Sequence, residues 1–313
     1  MAQTAALTSL RVGFFSRSVV SRVARERGLF ERHGLAVSER PVPSSPSQFR
    51  SLLAGELDLI FTSPDNVAAY RLTDANPLGT RMDVRILLAL DAGLGLSLMS
   101  TAAIGSIEDL RGRTVAVDVP SSGFALALFS ILQRHGLRAD RDITLVSLGS
   151  TPGRREALIA GECDATLLNA GHDIRAESAG CRRLVRIADV LSPYLGTVLA
   201  ATGPWLDQHA RDAQRFAEAW LAATAITLDP AERGFVEPLL AQELVLDPRE
   251  AGIAYEMLSS RRDGLIPDGR VESDRLLTVL STRAAFGGVD TGVDPSVSGI
   301  SSSGMIDRRL LDR

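Results

Sequence analysis

With 313 residues, the chain has room for two lobes of about 100 to 150 residues each, and a 45% apolar share supports complete globular folding. A net charge of −4 and an isoelectric point near 5.7 leave no electrostatic footprint for nucleic acid or an anionic membrane, so neither partner is expected. There is no lysine, which excludes Schiff-base and phosphate-loop lysines; an anion in a pocket must be held by arginine, backbone or hydroxyl donors.

The elements alternate from the start. Residues 11–15 read as a strand ending in the polar turn Ser16-Arg17-Ser18, and helical spacing follows over 19–32, stopped by Gly34. A strand over 36–42, a helix opened by Ser44 and closed by Gly55, and a strand over 57–62 come next. Ser63-Pro64-Asp65-Asn66 then carries an N-cap, a first-turn proline and an acidic residue, the start of another helix. Residues 84–90 form a strand, broken by Asp91-Ala92-Gly93, and 94–101 run on extended as the first crossing between lobes.

The next hundred residues repeat this order. Leu52-Leu53-Ala54-Gly55-Glu56-Leu57-Asp58 recurs as Leu158-Ile159-Ala160-Gly161-Glu162-Cys163-Asp164, and Arg32-His33-Gly34-Leu35 recurs as Arg134-His135-Gly136-Leu137. Similarity that keeps the order of separate elements predicts two copies of one α/β unit. The second copy has strands at 114–119, 143–148 and 164–168, with Pro120-Ser121-Ser122-Gly123 and Asn169-Ala170-Gly171 as its turns. Strands at 184–187 and 195–201 return the chain to the first lobe. Helices are predicted over 204–228, 230–244, 248–261 and 272–285. The tail, 286–313, is rich in Gly, Ser and Asp and is expected to run extended or disordered over the surface.

The fold class is therefore α/β: two lobes, each a mostly parallel sheet flanked by helices, with a helical C-terminal part. Lobe I comprises 1–93 and 199–313, and lobe II 94–198. In such sheets ligands sit beyond the carboxyl ends of the strands, at helix N-termini. Four turns meet that condition and converge if the lobes face each other. The expected ligand contacts are Ser16, Arg17, Ser18, Thr62, Ser63, Asp65, Asn66, Ser121, Ser122, Gly123, Asn169 and His172. Arg17 supplies the fixed positive charge, while Asp65 repels an anion unless it caps its own helix or meets an amine. His33 and His135 precede helix-stopping glycines, and His209 falls on an exposed helix face. His172 alone of the four histidines is placed to touch a ligand, without a partner for a triad. Neither cysteine belongs to a metal motif; Cys163 replaces Leu57 of the first copy and reads as a small buried hydrophobe. No catalytic residue, metal or cofactor is implied.

Ala24-Arg25-Glu26-Arg27-Gly28-Leu29-Phe30, closing on Gly34-Leu35, together with the junction from Leu52 to Asp58, resembles the substrate-binding proteins of ABC importers for nitrate, sulfonates, taurine and thiamine-pyrimidine precursors. The resemblance covers roughly residues 10–285. It implies a type II periplasmic-binding-protein fold that closes around a small anionic or heterocyclic solute, with ligand contacts on the same four turns and an ABC permease as a further partner. The same scaffold hosts enzymes. A pyrimidine synthase carries a cysteine-rich motif absent here, and desulfinases place a cysteine where this chain has Ser16. The alternative is a cytoplasmic enzyme on the same scaffold, of desulfinase, decarboxylase or hydrolase type, with Arg17 and His172 in its cleft. Residues 1–10 do not read as a secretory signal, so the expected location is extracytoplasmic if a signal was removed and cytoplasmic if Met1 is the native start.

Overall fold

A computed structural model describes residues 6–287, 303–307 and 309. The first lobe is built on β1 (Thr8–Phe14), α1 (Val19–Glu26), α2 (Leu29–Arg32), β2 (Leu35–Pro41), α3 (Ser45–Leu53), β3 (Leu59–Thr62), α4 (Pro64–Leu72) and β4 (Val84–Asp91). The chain then enters the second lobe with β5 (Ser97–Ser100), β6 (Thr114–Val117), α5 (Gly123–Arg134), β7 (Thr144–Ser147), α6 (Thr151–Ala160), β8 (Ala165–Leu168), α7 (His172–Ser178), β9 (Arg182–Arg186) and α8 (Ile187–Val190). It returns through β10 (Thr197–Thr202) to the helices α9 (Gly203–Leu228), α10 (Arg233–Leu244), α11 (Pro248–Leu258) and α12 (Ser273–Phe286).

The two sheets have one design. Their orders are β2-β1-β3-β10-β4 and β7-β6-β8-β5-β9, so the three strands of each copy are joined by one strand arriving from the other lobe. The copy's own strands pair in parallel, whereas β10 and β5 run antiparallel to both neighbours. Each sheet is thus mixed but mostly parallel in direction: four of its five strands run one way, and the crossing strand, which enters from the opposite end and needs no helical crossover, runs against them.

The repeated motif acts through its aspartate. The backbone N–H of Arg11 donates to Asp58 Oδ2 (2.7 Å), and the N–H of Asp58 donates to the Arg11 carbonyl (2.9 Å). In the second copy Thr114 and Asp164 exchange the same two bonds, both at 2.8 Å. Each aspartate thereby fixes the register of its strand against the first strand of its copy. The glycine before it, Gly55 or Gly161, turns the chain in the left-handed region to bring that carboxylate round.

Three local expectations are revised. The helix over 19–32 is broken at Gly28, whose φ of +60° stops α1 before α2 begins. The link between β4 and β5 is a tight turn, with Gly93, Leu94 and Gly95 all at positive φ, rather than an extended crossing. His209 lies at a kink in α9, with φ −125°, and stacks on Trp205 at 4.9 Å while its side chain stays part-exposed, so the helix there is not regular. The predicted surface tail lies mostly outside the described residues. Where it is described, Met305 is fully buried and Ile306 pairs in parallel with Ile86, so this stretch straps the outer edge of β4. Its backbone bonds to Ile86 measure 2.7 and 2.9 Å.

Candidate ligand-binding site

The carboxyl ends of the parallel strands in both sheets open onto a single cavity of about 130 Å³ between the lobes. From the first lobe the β1–α1 turn contributes Ser16, Arg17 and Ser18, and the β3–α4 turn Thr62, Ser63 and Asn66. The second lobe contributes Ser122 and Gly123 from the β6–α5 turn and Asn169 from the β8–α7 turn. Nine of the twelve expected residues therefore meet at one cavity. Sequence placed them there through strand order alone, since small hydroxyl residues at helix starts otherwise serve as caps. Several do both: Ser63 Oγ accepts from the Asn66 N–H at 3.2 Å, and Ser122 Oγ accepts from the Ala125 N–H at the same distance.

Asp65, Ser121 and His172 are turned elsewhere. Asp65 receives both arms of the Arg283 guanidinium at 2.6 Å, and each side chain is almost completely buried. Arg283 also donates to the Ser121 carbonyl at 2.9 Å, so this residue of α12 joins the α4 turn of one lobe to the α5 turn of the other. The lobes touch here. A Cβ on Gly123 would lie 2.6 Å from the Asp65 Cβ, a distance that only glycine permits. His172 is buried at the start of α7, with Nδ1 3.0 Å from Arg155 Nη1. An arginine can only donate, so Nδ1 is the bare acceptor and the ring is neutral. Burial, reinforced by the Arg155 and Arg154 charges, pulls its pKa down to about 3.

Arg17 also differs from expectation. It borders the cavity, but its side chain is 58% exposed and lies 3.6 Å from Glu243, a carboxylate it shares with Arg22 and Arg25. The fixed charge of the site comes from Arg154, which sequence reasoning did not single out. It stands fourth in α6, lines the cavity and is only 3% exposed. Its Nε donates to Thr166 Oγ1 (3.1 Å), Nη2 to Thr151 Oγ1 and the Leu167 carbonyl (both 3.2 Å), and Nη1 to the Gly149 carbonyl. All four acceptors are neutral. Among the described residues no carboxylate forms an ion pair with it, and one of its five N–H groups remains after those four bonds. The signal for it was present in the repeat, which aligns Arg154 with Gln48.

Other polar atoms wait at the same wall. Ser16 Oγ and Asn169 Oδ1 are buried without a hydrogen-bond partner. Asp118 reaches the cavity while accepting from Ser122 Oγ. Asp91, at the end of β4, accepts from the Gly93 N–H at 2.8 Å, and burial raises its pKa. Beyond Ser150, Thr151 and Thr197, the remaining lining is apolar and comes largely from the first lobe, including Phe61, Trp220, Leu240 and Leu244. No group of three or more metal-binding side chains occurs among the described residues, and no described helix is long and apolar enough to cross a membrane.

A two-sheet architecture with crossing strands and a cleft at the switch between them is shared with known proteins. The model of the NMT1-like family matches residues 3–240, most of the chain. The chain belongs to the NMT1-like family. Among solved structures, this family member superposes on the alkanesulfonate-binding protein SsuA from Xanthomonas axonopodis pv. citri with a TM-score of 0.72 at 16% identity, covering 98% of this chain and 97% of that one. The periplasmic nitrate-binding protein NrtA from Synechocystis PCC 6803 gives a TM-score of 0.80 at 10% identity over 96% and 86% of the two chains. These likenesses establish the periplasmic-binding-protein fold expected from the sequence. A curated relative from Brucella abortus (strain 2308), provisionally named a binding protein, is 25% identical over 142 residues. That match spans 44% of this chain and 41% of the relative.

Proposed function

We propose that this protein is the solute-binding component of an ABC importer and closes its two lobes around a small organic anion. Arg154 carries this reading. A guanidinium withdrawn from water costs several kcal/mol unless an anion or a full set of acceptors compensates it, and here the in-chain acceptors are neutral and one N–H is left over. The side chains of Ser16 and Asn169, buried and unpaired beside the same cavity, supply the further hydrogen bonds that a bound solute would complete. The family and fold relatives support the transport setting, since SsuA and NrtA are binding proteins for alkanesulfonate and nitrate.

In this reading residues 1–93 with 199–313 and residues 94–198 move as the two lobes. The turn at Gly93 to Gly95 and the return before β10 serve as hinges, and an ABC permease on the outer face of a membrane receives the solute. The ligand contacts are Ser16, Ser18, Thr62, Ser63, Asn66, Ser122, Gly123 and Asn169 around Arg154, with Arg17 at the edge. Titration calorimetry of the full chain with organic sulfonates and carboxylates tests it directly. Arg154→Gln should weaken the best ligand by about 1.5 to 3 kcal/mol, the worth of a hydrogen bond to a charged group. Equal affinity in the variant would remove Arg154 from the site.

A further inference from the structure

The cavity is not lined alike on its two sides. The cationic and orphaned polar groups of the second lobe, Arg154 and Asn169, face it together with Ser150 and Thr151. Apart from Leu94, Phe124 and Ala170, the hydrocarbon comes from the first lobe. There Phe61, Trp220, Leu240 and Leu244 are all nearly fully buried from solvent, yet they border the open space. Phe61 and Trp220 pack against each other at 4.8 Å, so this part of the wall is a fixed aromatic surface behind β3. Ala254 and Leu258 of α11 close it from the side. The hydroxyls of Ser16, Ser18 and Thr62 belong to the strand-end turns of this lobe, and behind them the apolar residues form a floor.

Such a surface binds nothing well that is wholly polar, because an inorganic anion at Arg154 would leave the floor without partners. An apolar cavity of about 150 Å³ admits a single benzene ring. At about 130 Å³, the space here is slightly smaller, so the whole solute, head group included, is no larger than about such a ring.

We infer that the solute is an amphiphilic organic anion, its charged head on Arg154 and its apolar body, a short chain of about three or four carbons, on the aromatic floor of the first lobe. This inference rests on the solute-binding reading above. It adds that the two lobes recognise different halves of one molecule, so discrimination among anions comes from the first lobe. The head may be no larger than a carboxylate or sulfonate, because the donors facing it are single side chains rather than a ring of them.

The experiment is calorimetry on the full chain with two homologous series, n-alkanoates and n-alkanesulfonates of one to ten carbons, with benzoate and nitrate added. Affinity should rise about threefold to fourfold per methylene up to about four carbons and then fall, with nitrate and the one-carbon members weakest. Benzoate, bulkier than the space, should bind more weakly than the best chain. Two variants move the optimum in opposite directions. Ala254→Leu fills the floor and shifts it to shorter chains, and Leu244→Ala enlarges the floor and shifts it to longer ones. Folding of each is checked by its melting temperature, and a shift in either one suffices. Affinity independent of chain length, or nitrate binding as tightly as the best chain, overturns the inference and leaves anion binding intact. If no member of either series binds, the solute-binding reading falls with it.

Discussion

Gln48 and Arg154 stand fourth in α3 and α6, at one position of the two copies, and each reaches the neighbouring strand's carbonyl, Phe61 at 3.0 Å and Leu167 at 3.2 Å. The first lobe fills the place with a neutral amide that also donates to the Gly13 carbonyl at 3.3 Å. The second fills it with a cation that has more donors than the fold uses. The first lobe does bury a charge near the cleft, Asp65, but Arg283 neutralises it within the chain. A buried charge completed by its own chain is architecture; one left for another molecule marks a site. Duplication supplied two matching walls, and the Gln48/Arg154 position is one place where their roles part.

The largest effect should come from breaking the closed pair. Arg283→Ala strands the Asp65 carboxylate and should cost about 3 to 5 kcal/mol of unfolding free energy by urea titration. Adding Asp65→Asn should recover part of it, whereas a loss under about 1 kcal/mol would mean that the pair is not desolvated. Arg154→Gln tests the other side, because it installs the residue that the first copy already accommodates. Stability of the unliganded protein should change by less than about 1 kcal/mol, although ligand affinity drops; a large stability loss would recast Arg154 as a structural strut.

A third comparison uses pH. His172 is neutral in the fold with its pKa near 3 but titrates near 6.5 when unfolded, so the unfolded state binds more protons between those values. Stability from this group is therefore fully present above about pH 6.5 and is lost on acidification through that window. Asp173 opposes it: burial lifts its pKa to about 6, so its protonation favours the fold as the pH falls below 6. The difference between His172→Asn and the parent isolates the histidine. The variant should gain on the parent by up to about 1.4 kcal/mol per pH unit below 6.5, and parallel curves in thermal melts from pH 7 to 5 would disprove the assignment. The smallest effect is at Ser16. Removing its unpartnered hydroxyl in Ser16→Ala should leave the empty protein unchanged or slightly more stable, within about 1 kcal/mol, and weaken ligand binding by a comparable amount.

Much of this was legible in the sequence. Repetition revealed the paired units, and helix starts at strand ends located nine cavity residues without any distance information. Strand direction was less accessible, because β5 and β10 take theirs from the lobe they leave and not from their own residues. Arg17 drew attention as the cation beside the first turn, but Glu243, more than two hundred residues along the chain, competes for it. Asp65 was recognised as awkward for an anion; its remedy, Arg283, lies equally far away. Long-range partners of this kind leave no local pattern. Arg154 is different: aligning the copies sets it against Gln48, and a charge replacing an amide just after the shared proline, Pro46 or Pro152, was a readable clue.

The contact from Arg283 to the Ser121 carbonyl bears on timing. A bond that ties the lobes directly, and needs no solute to form, raises the share of closed protein before anything binds and lowers the rate at which a loaded protein opens by itself. Spontaneous release would then be slow compared with a chain lacking this bond, and delivery would depend on a partner that pries α12 from the α5 turn. In a transport cycle, α12 would be the place where a membrane complex decides when the cargo leaves.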